Sequence, residues 1–387
     1  MTAWLLPEQF SDVLPAEAAA VEALRRTLLD AAAGYGYELV IPPLLEYVDS
    51  LLSGTGQDLD LRTFKLVDQL SGRTLGLRAD MTPQAARIDA HLLNRDGIVR
   101  LCYAGSVVHT RAPSVYATRE PLQFGVELYG HAGLEADIEV QQLAVRALQL
   151  GGVARITLAL SDMRIVRGVL AGVLLPPERI DAVVEALARK DQARLQQLLA
   201  GVAPAQRDAV LALPELFGDV TVLREAARVL PARAPIDAAL RELEQLAQLH
   251  ARAGVDVQVD LADLRGYRYH SGVIFSLYAP DEPDALARGG RYDEIGASFG
   301  RPRAATGFSL DLRELVRQRA LPGPQAAVRA QWSSQAGYAP AVQALRAAGH
   351  HVIELPAGAQ WQSRRFALTQ ELVCVDGDWQ LRALATA

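Results

Sequence analysis

The sequence predicts an α+β fold: an antiparallel sheet flanked by helices, interrupted by an inserted helical domain and followed by a small α/β module. Three observations predict it. Runs rich in Val, Ile, Leu, Tyr and Phe recur between helical pieces up to about residue 160, and they resume after residue 255. Between them, residues 165–252 turn rich in Ala, Leu, Arg and Gln, with apolar positions at helical spacing. Beyond the LPGPQ linker, near residue 324, a fresh alternation of strand, helix and strand begins.

Taken in order, Val21, Leu24, Leu28 and Ala32 recur at helical spacing after Pro15, and Gly34 and Gly36 end the pattern ahead of the β-prone ELVIPP. From Thr63, TFKLVDQLSGRTLGLRAD holds two β-prone stretches around a Ser-Gly turn, which predicts a hairpin ending in a loop at Asp80. GIVRLCYAGSVVH, PLQFGVELYG and ARITLAL predict further strands, with ADIEVQQLAVRALQL as a helix before the last. In the middle segment Ile180, Val183, Val184 and Leu187 form a helical stripe, which Leu195, Leu198 and Leu199 continue. Ile236, Leu240, Leu243 and Leu246 repeat it. DVQVDLADLRGYRYHSGVIFSLY then reads as two strands around a polar loop, and ARGGRYDEIGASFG as a glycine-rich turn leading to TGFSLDLRELV. The expected division is a core of residues 1–165 and 253–320, an inserted helical domain at 166–252, and an α/β module at 325–387.

At 387 residues, half of them hydrophobic, the chain can bury a large core. No stretch reaches the roughly 18 uninterrupted apolar residues of a membrane span, and the start has no basic region before an apolar run. The expectation is a soluble cytoplasmic protein with no membrane partner. A net charge of −6 gives no global basic footprint for nucleic acid. Cys102 and Cys374 stand far apart in apolar, strand-like runs, so both are expected as reduced core thiols and not as metal ligands.

Four segments, in order and at compatible spacing, resemble histidyl-tRNA synthetase: TLGLRADMTPQAAR, RLCYAGSVVHTRAPSVYATREPLQFGVELYG, LADLRGYRYHSGVIFSLY, and ARGGRYDEIGASFG with TGFSLDLREL. GGRYD alone is moderately specific and GFSLDL weak, but their combination with an LRGYRY-type loop is strong. The resemblance covers roughly residues 7–320 and implies a class II aminoacyl-tRNA synthetase-like sheet. It also implies a homodimer through a first motif that would include Pro42 and Pro43.

For the amino-acid half, the resemblance implies that Asp80 and Thr82 bind the α-ammonium group, a cation suited to a charge-assisted hydrogen bond. The family has glutamate at the Asp80 position, so the reach is one methylene shorter. Gln123 and Glu127 match the contacts to the amino-acid backbone and the imidazole, and their spacing puts them on one face of a strand. Arg265 matches the arginine that forks the carboxylate, and Tyr269 one of a tyrosine pair beside the ring. His270 replaces the second tyrosine, with Tyr267 as a further candidate to line the ring.

The nucleotide half departs from the family. Attack on an α-phosphate builds charge that fixed cations stabilise. Here the phosphate arginine of the second motif has become His109, the adenine-side glutamate Arg111, and the next arginine Ala112. In the third motif Asp311 replaces a glycine and Glu314 the other phosphate arginine. One such charge reversal at close range is expected to cost about 4 kcal/mol at an effective dielectric near 20. Arg313, one residue earlier, is turned by about 100° along a helix.

An amino-acid half kept and an ATP half lost is the combination found in the regulatory subunits of ATP phosphoribosyltransferase, the first enzyme of histidine biosynthesis. That resemblance implies no catalysis, no cofactor, no metal and no tRNA, with histidine as regulatory ligand. It further implies a hetero-octamer with a short-form catalytic subunit, whose activity requires this chain and whose feedback inhibition it mediates. The tail after the linker is shorter than an anticodon-binding domain and is expected to be a remnant of one. Two enzymatic alternatives stay open: an active histidyl-tRNA synthetase, and a synthetase-like ligase for another acceptor.

Overall fold

A computed structural model of the chain describes residues 5–384, apart from 54–56, 113, 115, 116, 268 and 281. The first helix runs Pro15–Gly34, and Leu24, Leu28 and Ala32 are buried, as their spacing predicts. The hairpin forms from Lys65–Val67 and Thr74–Leu77, with Asp68 accepting the Leu70 and Ser71 amides across its turn. Leu45–Tyr47 pairs with Thr74–Leu77 and completes a small three-stranded sheet.

Nine strands make the main sheet, in the spatial order Glu38–Leu39, Val99–Ser106, Leu122–Tyr129, Ala305–Asp311, Ala287–Arg291, Val273–Tyr278, Thr157–Asp162, Asp256–Asp260 and Phe217–Gly218. Two pairings are parallel, Glu38–Leu39 with Val99–Ser106 and Thr157–Asp162 with Asp256–Asp260, so the sheet is mixed and not wholly antiparallel. The second arises because the 19-residue helix Ala234–Arg252 carries the chain back along the sheet, packing on both strands it connects. The helix Leu134–Leu150 packs on the four central strands, with Val140, Leu143, Ala144, Ala147 and Leu148 buried.

The 166–252 segment is helical apart from the strand Phe217–Gly218, which joins the main sheet, and contacts group it with the core and not apart from it. Its last helix explains why: Ile236, Leu240, Leu243 and Leu246 are buried, and the helix lies against Met163–Leu170 and the sheet. The described residues fall into two compact units divided near residue 320, with the 12–22 stretch grouped with the second.

In the second unit, Gln325–Gln331 lies parallel to His351–Leu355 and to Phe366–Val375, and the latter turns back into Asp378–Ala383. Val328, Ala330, Tyr338, Val342, Val352 and Leu372 form its core. Cys102 is a buried thiol, but Cys374 is exposed, a correction to the expected core position. It stands opposite Trp379 near the end of its strand, two residue pairs past the last buried position, Leu372.

Candidate ligand pocket

Sheet register sets the floor of the site. Glu127, Gly307, Gly290 and Ile274 stand side by side across four neighbouring strands. Two adjacent glycines leave bare backbone beside the Glu127 carboxylate, and a Cβ on Gly307 would lie 1.8 Å from its Oε2. On Gly125, a Cβ would strike the Tyr103 ring at 2.5 Å. That missing side chain lets Tyr103 lie flat on the sheet and reach Glu127.

The polar groups above this floor are linked. Asp80 Oδ1 accepts the Thr82 amide at 3.1 Å and Gln123 Nε2 at 2.8 Å, while Gln123 Oε1 accepts the Met81 amide at 3.0 Å. Thr82 Oγ1 lies 3.0 Å from the Tyr103 hydroxyl, which donates to Glu127 Oε1 at 2.8 Å. Tyr292 donates to Glu127 Oε2. Burial pushes the Glu127 carboxyl up to about 8, against the tyrosine hydrogen bonds that favour its charge. The acid therefore holds its proton at neutral pH.

Tyr269 stacks on Tyr292, with ring centroids 5.1 Å apart and planes at 29°. Its hydroxyl is buried with no hydrogen-bond partner among the described residues. His270 Nδ1 lies 3.3 Å from the Arg291 carbonyl, which assigns the ring proton to Nδ1, and burial lowers its pKa to about 4. Arg167 fastens the loop by donating to the carbonyls of Tyr267 and His270 at 3.0 and 2.8 Å. Arg265 forks onto Asp263, Nε to Oδ1 at 2.9 Å and Nη2 to Oδ2 at 2.5 Å.

These groups surround a cavity of about 810 Å³. Of the eight residues assigned to the amino-acid half, Asp80, Thr82, Glu127, Arg265, Tyr267, Tyr269 and His270 line it, and Gln123 stands behind Asp80. The helix Pro177–Ala188 joins the lining through Glu178, Asp181 and Glu185, as do Arg62 and Arg288.

None of His109, Arg111, Asp311 and Glu314 lines the cavity. His109 is buried, its Nε2 lies 2.9 Å from the Ala79 carbonyl, and the Arg62 guanidinium packs against the ring 3.3 Å from Nδ1. Desolvation and that guanidinium lower its pKa to about 4, so the ring is neutral. Arg111 is exposed. Asp311 caps the helix Leu312–Arg317 by accepting the Arg313 amide at 2.9 Å, and it accepts the Leu122 amide at 3.1 Å. Glu314 pairs with Arg317 at 2.7 Å, so the expected close repulsion of a nucleotide does not come from it. Arg313 is buried and donates to Ser11 and to the Glu120 carbonyl, outside the cavity lining.

Sequence reasoning missed Tyr103, Tyr292, Asp263, Arg62 and the three helix carboxylates. Tyr103 and Tyr292 sit inside the quoted motifs, where their hydroxyls could have been weighed as partners for a buried acid. The rest carry no local signal.

Residues 9–315 match the family model described as histidyl-tRNA synthetase, and residues 325–382 match that of the ATP phosphoribosyltransferase subunit HisZ C-terminal domain. The ATP phosphoribosyltransferase regulatory subunit of Paraburkholderia phymatum is 54% identical over 98% of both chains. That of Paraburkholderia phytofirmans is 53% identical over 100% of both. Among solved structures, an ATP phosphoribosyltransferase regulatory subunit/histidyl-tRNA synthetase from Bacillus halodurans aligns with a TM-score of 0.83 at 26% identity, covering 94% of this chain and 95% of that one. A histidyl-tRNA synthetase from Nostoc shares the fold, with a TM-score of 0.76 at 18% identity over 99% and 97% of the two chains.

Proposed function

The chain belongs to the family of ATP phosphoribosyltransferase regulatory subunits, built on a histidyl-tRNA synthetase fold, and from that membership we propose that it is a histidine sensor without catalysis of its own. One observation supports the reading: a single cavity is lined by seven of the eight residues matched to the amino-acid half and by none of the four matched to the nucleotide half. Asp80 and Thr82 would receive the α-ammonium group, and Arg265 the carboxylate. Gln123 would hold Asp80 in place, and Glu127 would address the imidazole over the bare glycine floor. A protonated Glu127 can donate to the unprotonated nitrogen of a neutral imidazole. Tyr267, Tyr269 and His270 would enclose the ring.

ATP fits this lining poorly. The cavity presents three arginines, Arg62, Arg265 and Arg288, against the carboxylates of Asp80, Glu178, Asp181, Glu185 and Asp263, which outnumber them. A polyphosphate would enter a field of its own sign. In the cell, the reading extends to a cytoplasmic hetero-octamer of homodimers with a short-form catalytic subunit, which needs this chain for activity and receives histidine inhibition through it, with no tRNA. Histidine can exert that inhibition only by binding two states of the assembly with different affinity, a coupling typically of about 1–3 kcal/mol.

Isothermal titration tests the core of this. Histidine is expected to bind near one per chain without ATP, Glu127→Ala to weaken it at least about tenfold, and ATP to give no heat. Absence of binding at millimolar histidine would sink the sensor role. The arginines in the cavity favour one rival, an active synthetase, which requires histidine-dependent exchange between pyrophosphate and ATP.

A further inference from the structure

The Asp263–Arg265 fork, taken with the sensor reading on which it rests, assigns a further role. We infer that Asp263 is a positioning residue: it holds the Arg265 guanidinium side-on, so that the opposite edge meets the α-carboxylate of a bound amino acid. Both residues line the cavity. The two bonds to Asp263 use Nε and Nη2, which form one edge of the planar group. A guanidinium carries five donors; two serve Asp263 and one the Tyr278 side chain, which leaves two for a second carboxylate while the first stays in place.

The hold reaches the backbone as well. Asp263 Oδ1 also accepts the Arg265 amide at 3.1 Å, which ties side chain, loop and guanidinium to one oxygen. The Arg265 side chain is 48% exposed while that of Asp263 is 13% exposed. An arginine so exposed would otherwise lose much rotamer freedom on binding a ligand, and one already forked has less to lose.

Charge sets the class of ligand. Arg265 and Arg288 border the same stretch of cavity, and with Asp263 the three carry a net charge of +1. That balances one carboxylate. Two arginines without the aspartate would suit a phosphate instead, so Asp263 also biases the site toward a free amino acid.

Asp263→Asn tests this cleanly, because its Oδ1 still accepts the Arg265 amide while the charge that holds the fork is gone. Titrations of the full chain would compare L-histidine with histamine, which keeps the imidazole and ammonium but has no carboxylate. The expected result is a loss of about fivefold in histidine affinity with histamine unchanged, the fold-change of an ion pair at the upper end for partly exposed sites. Histidine affinity that stays the same or rises overturns the inference, since Asp263 would then be a bystander or a competitor. An equal loss for both ligands also overturns it, by showing a collapsed loop. In either case wild-type binding of histidine leaves the sensor reading standing. If the wild type and the variant both bind neither ligand, both readings fall.

Discussion

At Glu127 a carboxylate is 1% exposed and bonded by two tyrosine hydroxyls, with a third tyrosine stacked behind. Its pKa rises from 4.5 to about 8, so folding favours the protonated form. The stability this proton contributes is complete below pH 4.5 and is lost as the pH rises toward 8. Glu127→Gln cannot ionise and can serve the same two hydroxyls. We expect its melting temperature to exceed that of the wild type by about 3 °C or more at pH 9, with the gap closing toward pH 5. A constant gap across that range in scanning calorimetry would contradict the buried-acid account. Histidine binding by the same variant should weaken less than by Glu127→Ala, since one donor and one acceptor remain.

At the scale of elements, the row Glu127–Gly307–Gly290–Ile274 shows how strand register makes a site. In Gly307→Ala the new Cβ would face the Glu127 carboxylate at 1.8 Å and the Val126 carbonyl at 2.5 Å, and the latter cannot move without breaking the ladder. Overpacking of this kind costs about 1–3 kcal/mol, so the variant should melt several degrees lower and bind histidine at least about tenfold more weakly. A variant that melts and binds as the wild type does would show the floor to be pliable. Two strands of this row were legible in the sequence, in PLQFGVELYG and GVIFSLY, whereas ARGGR, read as part of a glycine-rich turn, forms the strand Ala287–Arg291. The row itself was not, since register is a property of pairs of strands. The helix Pro177–Ala188 is a similar case: its apolar stripe was legible, but Glu178, Asp181 and Glu185 read locally as an ordinary solvated face. Only tertiary placement turns them toward the cavity.

At the scale of the whole molecule, the boundary near residue 320 was legible from the LPGPQ linker, whereas the two parallel pairings and the union of the 166–252 helices with the core were not. The pairing of Thr157–Asp162 with Asp256–Asp260 and the union with the core both depend on where the long helix returns the chain. No helix among the described residues is long and apolar enough to cross a membrane. Membership of the regulatory-subunit family makes one expectation for the intact chain: mixed with a catalytic ATP phosphoribosyltransferase chain, it should elute as one larger species in size-exclusion chromatography with light scattering. Separate elution at micromolar concentrations would count against a stable assembly. Two of the positions matched to the ATP contacts, His109 and Asp311, and their neighbour in sequence Arg313 hold the fold together. His109 pins a loop to the Ala79 carbonyl, Asp311 caps a helix, and buried Arg313 is bonded to Ser11 and Glu120. Replacing any of these three side chains would therefore remove a bond that the fold itself uses, before it could add a contact to a ligand.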